Sequence, residues 1–442
     1  MPALTIPSGL QTRLCLLGDH IFPELAPSLK QFWPDREYCI VADENTWQAA
    51  GEKADRILKA AGLVAAPPVL YPAEPQLHAD YQHVSKLLPQ LRGKAALAVG
   101  SGTINDLVKR ASFEAETGGY LCLATAPSVD GYTSAGAALT VNGFKCTMPC
   151  PAPLVILADN SVIGSAPMEM IAAGYADLAA KVVAGADWHI AAALGQHPFD
   201  ATAWSLVQRD LRLWLAAPEK LKAREPLALQ YLFTGLANTG FAMQHMQDSR
   251  PASGAEHLFS HVWEMRGIQC RGKEPSHGFK VAIGTLLSTA LMLEIFQLPV
   301  EKIQRLSKAQ ALITPEERRM QVEEQLQGTA FLEPTLKIAM NKFLCGEALQ
   351  QRRREISRVW PELVPKVLAQ LLPFSELKQR FQCLGCPVEP EEIGMHRAEL
   401  VDGVLAAAMI RQRYTILDLL FELGLLKPIL EEVLRKDYFH FS

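Results

Sequence analysis

The chain has 442 residues, a length that suits two or three domains. It is 49% hydrophobic and 20% charged, like an ordinary globular protein, and its net charge of −4 favours neither a nucleic acid nor an anionic membrane as partner. No apolar run is long enough to span a bilayer, and the N-terminal stretch "MPALTIPSGLQTRLCLLGDH" lacks the pattern of a secretion signal.

The nine cysteines form neither a disulfide framework nor a complete zinc motif, which is typical of a protein kept in a reducing compartment. We therefore expect a cytoplasmic protein whose cysteines are structural thiols. We expect no nucleic-acid partner and no insertion into a membrane.

Strands and helices alternate along the first third of the chain. "EYCIVADENTW", "PPVLYPAEP", "KAALAVGSG" and "YLCLATAPS" each predict a strand, and helical segments separate them. Asn142-Gly143 predicts a hairpin turn, and "APLVILADNSVIGSAP" closes this part. After residue 165 almost every segment has the 3.6-residue period of a helix.

This pattern predicts an α/β N-terminal domain with a parallel sheet, residues 1–165, followed by an all-α C-terminal domain, residues 166–442. Ligands favour the carboxyl ends of parallel strands and the clefts between domains, so we expect the active site in the interdomain cleft.

A glycine loop lies in "LAVGSGTINDLVKR", where a strand runs through Gly100-Ser101-Gly102 into a helix. Such a helix start offers backbone N–H groups to a phosphate. The dinucleotide fingerprint requires a third glycine where this chain has Asn105, so a plain glycine turn stays an equal alternative. Asp43, at the end of "CIVAD", could hold the ribose hydroxyls and favour NAD over NADP, or could simply end its strand.

Two histidines four residues apart, His257 and His261, lie in "SGAEHLFSHVWEM". Ser253 and Glu256 have the spacing of a capping box, so both rings should share one face near a helix N-terminus. The rings could bind a metal, serve as one ligand and one proton donor, or pack in the core. Asp177 lies in an apolar helix, where its carboxylate requires a metal or a partner such as Lys181.

Five segments follow one another along the chain in this order: "VGSGTIND", "TAPSVDGYTS", "PMEMIAAGYADLAAK", "SGAEHLFSHVWEM" and "SHGFKVAIGT". Together they resemble the bacterial branch of the sn-glycerol-1-phosphate dehydrogenases. Those enzymes belong to the superfamily of iron-containing alcohol dehydrogenases and dehydroquinate synthases. The resemblance implies a dinucleotide-binding domain, a helical domain and one divalent metal in the cleft between them.

The resemblance also implies roles for individual residues. Asp177, His257 and His277 would bind the metal, while His261 would face the substrate and transfer a proton, with Asp130 beside it. Asp130, Asp177 and His261 would thus be the substrate-binding residues. Together with Asp43, the candidate from its strand end, the cofactor-binding residues expected are Gly102, Thr103, Ile104, Asn105, Asp106, Thr125, Ala126, Pro127, Ser128 and Ser134.

The implied activity is reversible reduction of dihydroxyacetone phosphate to sn-glycerol 1-phosphate with NAD(H) or NADP(H) and a divalent zinc, nickel or iron ion. The partners expected are a small phosphorylated triose or polyol and further copies of the chain, as a homodimer or larger homo-oligomer. Alternatives are a metal-dependent dehydrogenase of glycerol or another polyol, and a non-catalytic nucleotide-binding homologue.

The segment between His257 and His277, "LFSHVWEMRGIQCRGKEPS", is longer than the resemblance to archaeal members would lead us to expect. Basic residues in and around it are candidates to meet a substrate phosphate, although most such residues are solvated surface. They are Arg250, Arg266, Arg271, Lys273 and Lys280.

Overall fold

The computed structural model describes residues 3–141, 143–327, 329 and 331–441. These residues divide into two compact units. The first contains the chain up to residue 178 together with 205–249, and the second contains 179–204 together with the chain from 250 onward. The boundary predicted near residue 165 stays a prediction.

The described residues form eight strands. They are β1 (Leu14–Gly18), β2 (Tyr38–Asp43), β3 (Val69–Tyr71), β4 (Ala95–Gly100), β5 (Tyr120–Ala124), β6 (Ala137–Val141), β7 (Phe144–Met148) and β8 (Val155–Asp159). Six of them pair in parallel in the order β1-β8-β5-β4-β2-β3, which confirms the predicted parallel sheet. β6 and β7 pair antiparallel and confirm the hairpin, although Asn142 itself lies outside the described residues.

The helices of the N-terminal part and its junction are α1 (Leu25–Phe32), α2 (Glu44–Thr46), α3 (Glu52–Ala60), α4 (Tyr81–Leu91), α5 (Gly102–Glu114), α6 (Asn160–Ile163), α7 (Met168–Ala193), α8 (Ala201–Gln208), α9 (Leu211–Trp214), α10 (Pro218–Lys222) and α11 (Pro226–Met246).

The later helices are α12 (Ala255–Met265), α13 (His277–Phe296), α14 (Val300–Ala309), α15 (Pro315–Leu326), α16 (Leu332–Asn341), α17 (Gly346–Gln370), α18 (Phe374–Leu384), α19 (Arg397–Ala407), α20 (Ile416–Glu422) and α21 (Leu426–Arg435). The helical C-terminal part predicted from the 3.6-residue period is therefore confirmed.

The core of the sheet follows from its sequence. Every residue of β4, β5 and β8 is buried, as expected for parallel strands covered on both faces. Leu97 and Val99 of β4 share one core cluster with Leu25 and Leu29 of α1 and Leu58 of α3. Strand residues of that cluster alternate along each strand, so α1 and α3 cover a single face.

Helix α13 is long and apolar enough to resemble a membrane span by composition. However, 89% of its most apolar window is buried within the protein, as in a core helix. It contacts α12, α17, α18 and α21, so its apolar surface is covered by the helices of its own unit.

Candidate active site

In the first unit, the order of the strands creates a crevice at the carboxyl ends of β2 and β4. β2 and β4 are neighbours in the sheet. β3, which follows β2 in sequence, lies on the outer side of β2, and β5, which follows β4, lies on the opposite side of β4. Such a reversal is where parallel α/β sheets bind ligands. Asp43 ends β2 and Gly100 ends β4, so the two sequence candidates are placed at this reversal.

The glycine loop requires its glycines for packing. A Cβ on Gly100 would lie 2.6 Å from Cβ of Ile104, and one on Gly102 would lie 3.0 Å from Cγ2 of Val129. Helix α5 begins at Gly102, directly after the strand. The first turn of a helix has no intrahelical partners for its N–H groups, so the loop offers donors to an anion.

Asp43 has a structural contact of its own. Its Oδ1 accepts a hydrogen bond from the backbone N–H of Thr46 at 2.8 Å, and Thr46 Oγ1 accepts one from the backbone N–H of Asp43 at 3.0 Å. The carboxylate thereby caps α2 at the end of its strand. Its contact with a ribose stays a prediction.

Asn105 and Asp106 support the neighbouring loop with their side chains. Asn105 is 1% exposed; its Nδ2 donates to the carbonyl of Gly131 at 3.2 Å, and its Oδ1 accepts from the Tyr120 hydroxyl at 2.8 Å. Asp106 Oδ1 lies 3.3 Å from Nζ of Lys109. The side chain of Asn105 is thus committed to the interior, and its backbone N–H donates to the carbonyl of Ser101 at 3.0 Å, so its contact with a cofactor stays a prediction.

Lys109 escaped the sequence analysis. It is 1% exposed, and its Nζ donates to the carbonyls of Gly131 at 2.9 Å and Gly136 at 3.0 Å. The ammonium therefore stabilises both ends of the turn that contains Ser134. The Ser134 hydroxyl itself donates to the carbonyl of Gly131 at 3.1 Å. A lysine three residues after Asp106, between the apolar Val108 and Ala111 of a helix, was the available signal.

Two glycines allow helices to press against the loop of residues 125–134. A Cβ on Gly174 of α7 would lie 1.8 Å from the Pro127 carbonyl oxygen, and one on Gly240 of α11 would lie 1.9 Å from Oγ1 of Thr133. The Tyr132 hydroxyl donates to the carbonyl of Ala126 at 2.5 Å. The loop is therefore fixed against both helices.

The same loop begins beside the glycine loop and orients Asp177. The backbone N–H of Thr125 donates to the carbonyl of Gly100 at 3.1 Å. The backbone N–H of Asp130 donates to Oδ2 of Asp177 at 2.9 Å. Asp177 is 1% exposed, so this bond directs one oxygen of a buried carboxylate. Ser128 is also buried within the loop.

In the second unit, α12 and α13 bring three imidazoles together. The ring centroids of His257 and His277 lie 5.4 Å apart, and His261 lies 6.3 Å from His257 and 6.2 Å from His277. The shared face of His257 and His261 predicted from their spacing is thus confirmed. His277 is the first residue of α13, whose N-cap Ser276 accepts a hydrogen bond from the backbone N–H of Phe279.

Helix α12 begins differently from the prediction. Its N-cap is Gly254 and not Ser253, and Glu256 Oε1 accepts from the backbone N–H of Gly254 at 2.7 Å. The buried carboxylate of Asp187 on α7 accepts from the N–H of Ala255 at 2.7 Å, so a second helix supplies the cap. A Cβ on Gly254 would lie 2.4 Å from Asp187 Oδ2, which explains the glycine.

Two glutamates that the sequence analysis missed orient the rings. Nδ1 of His257 lies 2.8 Å from Oε1 of Glu256, and Nδ1 of His277 lies 2.7 Å from Oε1 of Glu264. An ionised carboxylate only accepts hydrogen bonds, so each Nδ1 carries the hydrogen and each Nε2 keeps its lone pair. A carboxylate behind each histidine is the usual support of a metal-binding imidazole.

Glu264 also lies close to the ring of His261. Its Oε2 lies 3.6 Å from Nδ1 of His261, whose side chain is 26% exposed, whereas that of Glu264 is 5% exposed. Lys280 Nζ lies 3.5 Å from Glu264 and 2.7 Å from Glu274, so this lysine is placed against carboxylates. Arg250 donates to the carbonyl of Tyr414 at 2.9 Å. Lys280 and Arg250 are therefore already bound to groups of the protein, and these contacts do not favour either residue as the one that binds the substrate phosphate.

Asp177, His257 and His277 form a group suited to a metal ion. Each offers one ligand atom, a carboxylate oxygen or an imidazole nitrogen, and these atoms lie within 4.8 Å of one another. One carboxylate and two imidazoles suit a divalent zinc, nickel or iron ion, and three protein ligands leave a position for substrate.

Comparison with known proteins places these features in context. A family model of iron-containing alcohol dehydrogenases matches residues 18–167. The glycerol-1-phosphate dehydrogenase of Geobacillus thermodenitrificans is 32% identical over 287 residues, which are 64% of this chain and 69% of that protein. The corresponding protein of Bacillus licheniformis is 31% identical over 289 residues, 64% of this chain and 71% of that protein.

The glycerol-1-phosphate dehydrogenase of Halalkalibacterium halodurans is 34% identical over 255 residues, which span 57% of this chain and 64% of that protein. Among solved structures, glycerol dehydrogenase from Schizosaccharomyces pombe has a TM-score of 0.59 at 15% identity, covering 98% of this chain and 94% of that one. An iron-containing alcohol dehydrogenase from Thermococcus thioreducens has a TM-score of 0.58 at 15% identity, covering 97% and 99%. The two structures share this fold.

Proposed function

The chain belongs to the glycerol-1-phosphate dehydrogenase family of the iron-containing alcohol dehydrogenase superfamily, and from that premise we propose that it reversibly reduces dihydroxyacetone phosphate to sn-glycerol 1-phosphate with NADH or NADPH. The observation that carries the proposal is the gathering of Asp177, His257 and His277. A protein without catalysis has no need of such a group with a position left for substrate.

The three residues would hold one divalent metal ion. The fit rests on the donor set: the hydrogen bonds of His257 and His277 to glutamates leave Nε2 of each ring as the ligand, and the N–H of Asp130 fixes the carboxylate of Asp177. When bound, a divalent ion supplies a Lewis acid that stabilises negative charge on a substrate oxygen.

His261 would transfer the proton in this reaction. Its Nδ1 lies 3.6 Å from Oε2 of Glu264, so Nε2 would be the atom that meets the substrate oxygen. The doubly protonated ring would donate a proton from Nε2 during reduction, and the neutral ring would accept one there during oxidation. In the neutral ring, the charge of Glu264 would favour the hydrogen on Nδ1 and leave Nε2 as the acceptor. Asp130 would approach the substrate from the loop and assist this proton transfer.

The loops of the first unit would bind the dinucleotide, which supplies the hydride. The start of α5, from Gly102 to Asp106, would lie at the pyrophosphate. The N–H groups of Gly102, Thr103 and Ile104, which precede the first intrahelical hydrogen bond, would meet it. Residues 125–128 and Ser134 would line the cofactor. Asp43 would hold the ribose hydroxyls and favour NAD over NADP, since its charge would repel a 2′-phosphate.

The same proposal covers the organisation of the chain. Residues 1–165 would form the dinucleotide-binding domain, and residues 166–442 would bind the metal and the substrate. The protein would act in the cytoplasm as a homodimer or larger homo-oligomer, on a small phosphorylated triose or polyol.

The test is NADH oxidation with dihydroxyacetone phosphate. The protein is stripped of metal and reloaded separately with zinc, nickel and iron, and the product is offered to an enzyme specific for sn-glycerol 3-phosphate. We expect metal-dependent turnover and a product that this enzyme rejects. The proposed substrate would be overturned if the enzyme specific for sn-glycerol 3-phosphate accepted the product. It would also be overturned if the protein oxidised glycerol but showed no turnover with dihydroxyacetone phosphate.

A further inference from the structure

Two cavities adjoin one another in the second unit, among helices that the proposed reaction does not use. They measure about 290 and about 560 Å³, and Gln310, Leu312 and Arg353 line both. Small-molecule sites typically enclose about 300–1,000 Å³. The shared lining makes them two compartments of one recess, which we call the C-terminal recess.

The larger compartment is positively charged. Lys308, Arg353, Arg354 and Arg358 line it, and no Asp or Glu is among its lining residues. Arg353 donates to the carbonyls of Glu422 at 2.8 Å and Ser307 at 3.2 Å, and Arg354 donates to the Gln351 side chain. Within the described part of the chain, none of the four cations is in an ion pair with a carboxylate.

Four cations without a carboxylate partner form an unusual surface. Each guanidinium keeps donors that are suited to phosphate oxygens, and their combined potential attracts an anion. The polar residues around them, Gln304, Gln350 and Ser357, add neutral hydrogen-bonding groups to the same compartment.

The smaller compartment is lined mostly by apolar residues, together with the charged Arg318, Glu324, Arg353, Glu422 and Lys427. Its apolar lining residues are Ala311, Leu312, Ile313, Phe343, Leu344, Leu349, Leu405, Ala408, Met409, Phe421, Leu426 and Pro428. Leu312 stands where the two compartments meet and is 51% exposed. An apolar group entering from the basic compartment would cover it.

One carboxylate in the smaller compartment is already engaged. Glu422 accepts from the Tyr414 hydroxyl at 2.5 Å and from Arg352 at 3.1 Å, and the charge of Arg352 offsets that of the carboxylate. The two compartments therefore differ: the larger is lined by cations and by no carboxylate, and the smaller by mostly apolar residues with charges of both signs.

We propose that the C-terminal recess binds an amphiphilic phosphate ester, with the phosphate on Lys308, Arg353, Arg354 and Arg358 and the apolar group in the smaller compartment. A free phosphate would use only the first compartment, and a neutral apolar molecule only the second. The recess is independent of the proposed dehydrogenase reaction, so its ligand can be tested whether or not that reaction is observed.

The test is calorimetric titration of the full-length, metal-loaded protein with octyl phosphate, inorganic phosphate and 1-octanol. We expect octyl phosphate to bind at least about tenfold more tightly than either comparator, because only it fills both compartments. Equal affinity for octyl phosphate and inorganic phosphate would contradict the proposal that the ligand is amphiphilic. No binding of octyl phosphate would contradict the proposal that the recess is a binding site.

Variants locate the two halves of the ligand. The pair Arg354→Glu and Arg358→Glu, both at exposed positions, should weaken binding of octyl phosphate by at least about tenfold, since both cations become anions. The matched control is Lys302→Glu with Arg319→Glu, which reverses two exposed charges outside the lining. A control that loses as much affinity would show non-specific attraction to charge and refute the site.

Leu312→Asp tests the apolar half. It should weaken binding of octyl phosphate by about tenfold and binding of inorganic phosphate by less, because the added carboxylate also lies in the lining of the basic compartment. Met320 is 58% exposed and outside the recess, so Met320→Asp is the control. If Leu312→Asp and Met320→Asp bind octyl phosphate equally, the tail does not enter the smaller compartment and the proposal fails.

Discussion

Two regions of this protein build a site by opposite means. The loop region, residues 100–134 of the first unit, is shaped by backbone groups and by glycines that let helices approach within contact of carbonyls. The histidine region, residues 255–280 of the second unit, is shaped by side chains whose ring nitrogens are oriented by buried carboxylates. The comparison predicts that removing a side chain impairs the histidine region more than the loop region. Adding a side chain at a glycine should impair the loop region more.

The largest effect should come from separating the roles of His257 and His261. His257→Ala removes a proposed metal ligand and should lower both the bound metal and kcat, the latter by about a thousandfold. His261→Ala should lower kcat by roughly a hundredfold to ten-thousandfold as the proton donor is lost, while the metal stays bound. Metal content of the purified variants, together with turnover, measures both.

The control for this pair is circular dichroism of each variant, which should match the parent because alanine is a good helix former at both positions. Purified His261→Ala without its metal, beside His257→Ala with it, would show that the two roles are reversed.

The second prediction concerns Glu264, which lies behind both His277 and His261. Glu264→Gln should reduce metal affinity or kcat by about 10–100-fold, because an amide can present its NH₂ group to Nδ1 and so release either tautomer. It should also change the pH profile of kcat, which a merely structural role would not move.

Glu274→Gln is the matched control, since Glu274 contacts Lys280 at 2.7 Å but is not hydrogen-bonded to either ring in the described contacts. Equal losses in metal affinity from both variants would mean that Lys280, and not the orientation of the rings, carries the effect of Glu264.

The contrast also explains what could be predicted from the sequence. The parallel sheet, the hairpin and the shared face of His257 and His261 followed from local periodicity, which is visible in the residues themselves. The support of Glu256 and Glu264 was not found, because many glutamates lie on helices and only tertiary packing determines which are buried against a ring.

The start of α12 shows the same limit in a smaller element. Ser253 and Glu256 match a capping box, but Asp187, distant in sequence, takes the acceptor position at Ala255. A tertiary contact thus overrides a local signal. Lys109 is similar: its residue type was visible, and the carbonyls that it holds were not.

The third prediction tests the loop region with an added methyl group. Gly102→Ala would place a Cβ 3.0 Å from Cγ2 of Val129 and should raise the dissociation constant of NADH by about threefold to tenfold, with metal affinity unchanged. Because the crowding is with one side chain, Val129→Ala in the same chain should restore part of the affinity. Fluorescence titration of NADH measures this.

The single Val129→Ala variant is the control for that cycle. If the double variant binds NADH no better than Gly102→Ala alone, the loss comes from the helix start itself, and the close packing against Val129 is not its cause.

The smallest effect concerns a buried carboxylate of the second unit outside the histidine region. Burial raises the pKa of Glu422 to about 7 from 4.5, although the hydrogen bond from Tyr414 and the charge of Arg352 oppose this shift. The folded protein therefore binds more protons than the unfolded chain between these pH values. The stability gained from the protonated form is complete below pH 4.5 and is lost as the pH rises through about 7.

Urea unfolding of metal-free protein should thus show a free energy of unfolding that falls between pH 5 and 8, with Glu422 contributing on the order of 1 kcal/mol. Asp187, whose pKa burial and the charge of Glu256 raise to about 8, contributes a fall of the same sign, so the parent alone does not isolate Glu422. Glu422→Gln should flatten the pH dependence relative to the parent, whereas Glu362→Gln, at an exposed position, should leave it unchanged. A Glu422→Gln curve parallel to the parent's would mean that Arg352 keeps this carboxylate ionised in the folded protein, as an oriented charge like those behind the histidines.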